Sequence, residues 1–145
     1  MKYTLFILIG LMVLASAFFV MFRDKPDSSL QQQTEKSSFE TQTSDQGQVL
    51  IKVTPETLSE GRVKFKIIFD THSVDLDQDL MQIAVLADDQ GNTYKPIKWD
   101  GAVPGGHHRE GVLVFESVNR VTSYVELNIR NIGEVPERLF KWNLK

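Results

Sequence analysis

Three features of the sequence predict an all-β antiparallel sandwich carried behind an N-terminal membrane segment. Apolar and polar residues alternate through much of residues 48–145, which is the period of a half-buried strand. Turn-forming clusters break that alternation at short intervals: Ser59-Glu60-Gly61, Asp88-Asp89-Gln90-Gly91-Asn92, Pro104-Gly105-Gly106 and Ile132-Gly133-Glu134. No stretch of 12 or more residues after Phe22 carries an apolar stripe at helical spacing.

Residues 1–22 read as a transmembrane anchor or signal segment. From Leu5 to Phe22 the chain runs 18 residues without a charge, between Lys2 and Arg23. As a helix that is about 27 Å, close to the roughly 30 Å of a bilayer's hydrocarbon core. Lys2, the apolar stretch and Ala15-Ser16-Ala17 also satisfy a cleavable signal peptide. Cleavage there would leave Phe18–Phe22 as an apolar start to the mature chain, so the uncleaved signal anchor is preferred and cleavage is the alternative. Lys2 on one flank and Arg23 with Lys25 on the other nearly balance. The signal-like order then places the domain on the extracytoplasmic face.

Residues 23–47 read as a flexible polar linker, with three basic and five acidic residues and only Leu30 and Phe39 as large apolar side chains. Such a segment buries too little to offset its ordering entropy, and as a coil it spans roughly 25–30 Å.

Residues 48–145 read as the domain. Val49, Ile51 and Val53 share one face, as do Val63, Phe65 and Ile67 with Lys64 and Lys66 between them. Further strands are expected over 80–87, 93–99, 111–116, 121–130 and 138–144. Seven short strands in about 100 residues fit a two-sheet immunoglobulin-like β-sandwich.

Composition excludes several function classes. The chain has 145 residues, 16 Lys and Arg against 19 Asp and Glu, and a formal net charge of −3. That balance lacks the basic excess of a nucleic-acid binder. With no Cys there are no disulfides, zinc–thiolate sites, iron–sulfur clusters or Cys nucleophiles.

Chemistry concentrates in two stretches, 70–80 and 99–111, which together hold all three His of the chain. His72, His107 and His108 with Asp75 or Asp77 supply the nitrogen and oxygen donors of a Cu or Zn site. Adjacent His107 and His108 point to opposite faces if extended, so one of the two would ligate. The alternative is that these imidazoles fix loop shape through hydrogen bonds. Asp75, Asp77 and Asp79 offer a weaker Ca reading. An EF-hand is excluded because Leu80 and Leu86 stand where its Gly and Glu would be. Ser73 beside His72 lacks the spacing of a nucleophile and base, and no enzyme is expected. Trp99, beside the Gly-rich loop, is the candidate partner-binding anchor. Arg109 joins it there, although Arg109 and Arg138 also read simply as ion-pair partners for nearby acids.

Three motifs carry a resemblance. T-H-S-V-D-L-D-x-D-L at 71–80, W-D-G-x-x-P-G-G-H-H-R-x-G-V-L-x-F at 99–115 and I-G-E-V-P-E-R-x-F-K-W at 132–142 resemble a family of small uncharacterised membrane-anchored proteins of archaea and bacteria. The resemblance covers residues 48–145 and implies a membrane-attached β-sandwich. It also implies that His72, Asp75, Asp77, His107, His108 and Arg109 belong to the family's hallmark, and that the two loops meet in space. It supplies no reaction. The functional expectation is a membrane-tethered extracytoplasmic binding domain, holding a divalent metal or docking to a membrane-protein partner with its histidines structural.

Overall fold

The computed structural model describes residues 39–58, 61–119 and 122–144. The chain divides into a unit of residues Met1–Thr34 and a unit of Glu35–Lys145, and the described residues belong to the second. The expected anchor at 1–22 lies outside them. Among the described residues no helix is long and apolar enough to cross a membrane.

Among the described residues nine strands and one helical turn follow in order: β1 (Gln42–Gln46), β2 (Val49–Thr57), β3 (Val63–Thr71), α1 (Leu80–Ile83), β4 (Ala84–Asp88), β5 (Thr93–Tyr94), β6 (Pro96–Gly101), β7 (His108–Phe115), β8 (Tyr124–Ile132) and β9 (Val135–Asn143). They form two antiparallel sheets, β1-β2-β3-β7-β6 and β5-β4-β8-β9. The chain crosses between the sheets from β3 to β4, from β5 to β6 and from β7 to β8.

The alternation in the sequence is the alternation in space. Val49, Ile51 and Val53 of β2, Phe65, Ile67 and Phe69 of β3, and Leu113 and Phe115 of β7 all point into the core. They meet Leu86 of β4, Val125, Leu127 and Ile129 of β8, and Phe140 and Trp142 of β9. Phe65 ties the layers together, edge-on to Phe115 at 6.0 Å and 5.1 Å from the Trp142 ring across the sandwich. Burying each such side chain stabilises the fold by about 1.5–3 kcal/mol, so this two-layer interior dominates the energetics. By contrast the exposed pairs Lys66–Glu110 and Lys98–Asp100 are each worth at most about 1 kcal/mol.

The sandwich starts earlier than the boundary at residue 48 that the sequence suggests. β1 occupies 42–46, inside the expected linker, and pairs with β2 from Gln42↔Val53 to Gln46↔Val49. Its side chains also reach the other sheet. The Gln42 carboxamide donates through Nε2 to Lys141 O and accepts from Lys141 N at 3.1 Å, which satisfies the outward backbone groups of β9 at that residue. Trp142 Nε1 donates to Glu40 O at 2.9 Å.

Two hairpins turn at the same end of the sandwich. Gly47-Gln48 and Gly133-Glu134 have φ of +52°, +61°, +59° and +60°, the paired left-handed conformation of a type I′ turn. They pack back to back. A Cβ on Gly47 would fall 1.9 Å from Gly133 O, so neither first position tolerates a side chain. Buried Arg138 clamps the same corner, with Nη1 donating to Ile132 O at 2.7 Å and Nη2 to Gln46 O at 2.9 Å. The strand directions fix the ends: β1 enters at the opposite end and runs toward these turns.

A braced junction of two loops

The loop after β3 (residues 72–79) and the loop before β7 (102–107) meet at this turn-bearing end. Three backbone hydrogen bonds join them: Thr71 N to His107 O at 2.9 Å, Leu76 N to Gly106 O at 3.0 Å and Gly105 N to Leu76 O at 2.8 Å. Leu76 drops its side chain into the core, 1% exposed. Thr71 Oγ1 donates to Gln48 O at 2.7 Å and accepts from Ser73 N and Val74 N, so the first loop is also tied to the β1–β2 turn. Asp79 ends the loop as the cap of α1, its carboxylate accepting from Met81 N at 2.9 Å and from Gln82 Nε2.

Arg109 occupies the interior of the junction. It stands opposite Phe69 on the inward phase of β7 and is only 2% exposed. Nη1 donates to Leu76 O at 3.0 Å and to Gln78 O at 2.8 Å, and Nη2 reaches Ala102 O at 3.5 Å. One planar fork therefore holds both loops. Burial pushes the guanidinium pKa down, and the carboxylates of Asp79 and Asp77 oppose that shift. The Trp99 ring lies 5.8 Å from Arg109 Cζ, and its Nε1 donates to Ala102 O at 2.8 Å. Paired Gly101 and Gly111 make room for that ring: a Cβ on Gly111 would sit 2.6 Å from Trp99 Cζ2. Trp99 is thus half-buried and built into the junction, and Val103, 78% exposed, stands at the loop surface.

The expected metal ligands do not gather at one point. His72, His107, His108, Asp75 and Asp77 are all exposed. Among the described residues no group of three or more His, Cys, Asp or Glu is placed to hold a metal ion. His107 contributes its carbonyl to the loop contact. His108 lies on the outer face of its sheet, Nδ1 2.5 Å from Asp70 Oδ1 of the neighbouring strand. His72 borders a cavity of about 270 Å³ with Asp45, Asp70 and Leu50. No protein-family model matches the chain, and no curated protein or solved structure is significantly similar to it.

Arg109 and Arg138 depart most from their sequence reading. Both bind main-chain carbonyls in buried positions, where ion pairs with acids are expected. A signal for this is present in the sequence. Arg109 has the parity of Leu113 and Phe115, and Arg138 that of Phe140 and Trp142, so strand alternation points both inward.

Proposed function

We propose that the chain is a membrane-tethered, extracytoplasmic binding domain without catalytic activity, whose loop end docks onto a membrane-protein partner or envelope component. The observation that carries this reading is the placement of chain entry and loop junction at opposite ends of the sandwich. A tether joined at β1 leaves the junction facing away from the entry point. The junction is also preorganised: Arg109, three backbone bonds and Asp79 hold the loops before any partner arrives, which lowers the entropy cost of binding. Val103 and the adjoining Pro104-Gly105-Gly106 backbone offer the contact surface, with exposed His72 and His107 at its rim. The strand order supports the immunoglobulin-like form of the sandwich. β2-β3-β7-β6 against β4-β8-β9 reproduces, crossing by crossing, the four-plus-three arrangement of that fold, with β1 and β5 added at sheet edges.

A second reading keeps a divalent metal, Cu or Zn. It rests on His108, whose Nδ1 faces the Asp70 carboxylate and leaves Nε2 outward, as carboxylate-oriented imidazoles do in metal sites. Two measurements separate the two. A photo-crosslinking residue is placed at Val103, or at Glu137 on the outer face of β9 as control, in the full chain in its native membrane. Docking predicts one discrete adduct from position 103 and none from 137. The metal reading predicts a melting temperature that rises with Cu(II) or Zn(II) and is insensitive to them after His72→Ala/His108→Ala. Absence of an adduct from 103 refutes the docking role.

A further inference from the structure

A cavity of about 400 Å³ opens beside the junction, between the two hairpin turns and the loop after β3. Its wall includes Gln48, Ser73, Val74, Gln78, Asn131 and Glu134. Gln48, Asn131 and Glu134 are also the three non-glycine residues with positive φ among the described residues, at +61°, +54° and +60°. That coincidence is informative. Left-handed backbone is costly for a residue with a side chain and persists where the side chain has a use. Type I′ turns usually place Gly second. Here both turns place Gly first, where the back-to-back contact demands it, and spend the second position on Gln48 or Glu134.

The polar groups in the wall have unmet valence. Ser73 Oγ donates to Gln48 Oε1 at 2.5 Å, which fixes the Gln48 carboxamide with its N–H groups uncommitted. Glu134 supplies a carboxylate with room for two donors.

We propose that this cavity is a carbohydrate-binding site. Its wall carries no Lys, Arg or His, which disfavours an anion, and Val74 is its one aliphatic side chain, which disfavours an apolar ligand. Carboxamides donate and accept at once, and so do sugar hydroxyls. A vicinal diol presents two donors to the Glu134 carboxylate, and Gln48 and Asn131 donate to ring or hydroxyl oxygens. The site needs neither the anchor nor a protein partner, so it stands apart from the docking role above.

The test uses the full chain in phospholipid nanodiscs, which contain no sugar headgroup, titrated calorimetrically with maltotriose, chitotriose and, as a peptide control, trialanine. One trisaccharide binds with a Kd of about 1 mM or tighter. Gln48→Met and Glu134→Gln each weaken it by roughly five- to tenfold. Glu134→Gly loses the sugar and gains stability by relaxing the turn, and it carries the test if Gln48→Met does not fold. Binding of neither trisaccharide, binding of trialanine alone, or sugar affinity unchanged in the variants overturns the proposal.

Discussion

Replacing Arg109 with Met tests whether a single guanidinium holds the loop end together. Met keeps the length of the side chain and removes every donor. Two good hydrogen bonds are lost, to Leu76 O and Gln78 O, while the 3.5 Å contact to Ala102 O lies at the limit of a real bond. Gln78 O is left unpaired in a buried site, at a cost of about 1–3 kcal/mol, while Leu76 O keeps the Gly105 N–H and loses a charge-assisted bond worth about 1.5–3 kcal/mol. Part of that is returned because the variant no longer buries a charge. The net loss is about 3 kcal/mol, a large share of the roughly 5–15 kcal/mol that a domain possesses. For a domain near 100 residues this lowers the melting temperature by roughly 10–20 °C. Urea unfolding followed through Trp99 and Trp142 measures the loss, and hydrogen exchange localises it. The Leu76 and Gly105 amides, which donate across the junction, lose protection before the core strands do. Arg109→Lys falls between parent and Met variant, since one ammonium cannot reproduce the fork. A melting temperature within about 3 °C of the parent, with Leu76 and Gly105 still protected, refutes the reasoning.

Gly133→Ala places a Cβ 2.3 Å from Gly47 O at a φ of +59°, and its expected cost is about 2–4 kcal/mol by urea unfolding. Gly91→Ala has a φ of +80° but nothing within 4 Å, so it carries the left-handed strain alone, about 1 kcal/mol; equal losses at the two sites would show that the back-to-back contact contributes nothing. Acid unfolding reports on buried Asp88. Burial pushes its carboxyl pKa up, but the Asn92 carboxamide, the Tyr94 hydroxyl and the Asn92 and Gln90 N–H groups pull it further down, to a value below the ordinary one. A depressed folded pKa gives stability that is complete above the unfolded value of about 3.9 and is lost as pH falls through the folded value. Asp88→Asn therefore lowers stability at neutral pH and flattens the acid limb below about pH 4; an unchanged acid limb excludes Asp88 as its source.

The two-layer architecture was legible because its signal is local: Val49-Ile51-Val53 and Val63-Phe65-Ile67 announce their inward faces by period alone. Elements whose reason lies elsewhere in the chain were not. β1 reads as linker because Gln42 and Ser44 face the gap at the β9 edge, where the partner is the Lys141 backbone and no apolar contact is needed. The expected strand over 80–87 is a helical turn and then β4, since Asp79 caps Leu80–Ile83 before the chain straightens. The strand over 93–99 divides at Lys95, where the chain leaves one sheet for the other. At the candidate site, the two stretches that residue composition singled out are hydrogen-bonded to each other, but the partners in that contact are carbonyls. Carbonyls belong to every residue and leave no trace in composition, so the ion-pair reading of Arg109 and Arg138 was the natural one.

The entry of β1 at the end remote from the loops has a mechanical consequence. Hydrogen bonds between antiparallel strands run perpendicular to the chain direction. A pull between residue 42 and the loop junction is directed along β1, so the pairs from Gln42↔Val53 to Gln46↔Val49 bear it together, in shear. The Gln42 carboxamide on Lys141, through its donor and its acceptor, and the Arg138 clamp on Gln46 O add three bonds that must break in the same event. The same strand pulled from its other end would peel one pair at a time. The domain is thus strongest along the axis on which a tethered molecule, held by something at its far end, would be stretched.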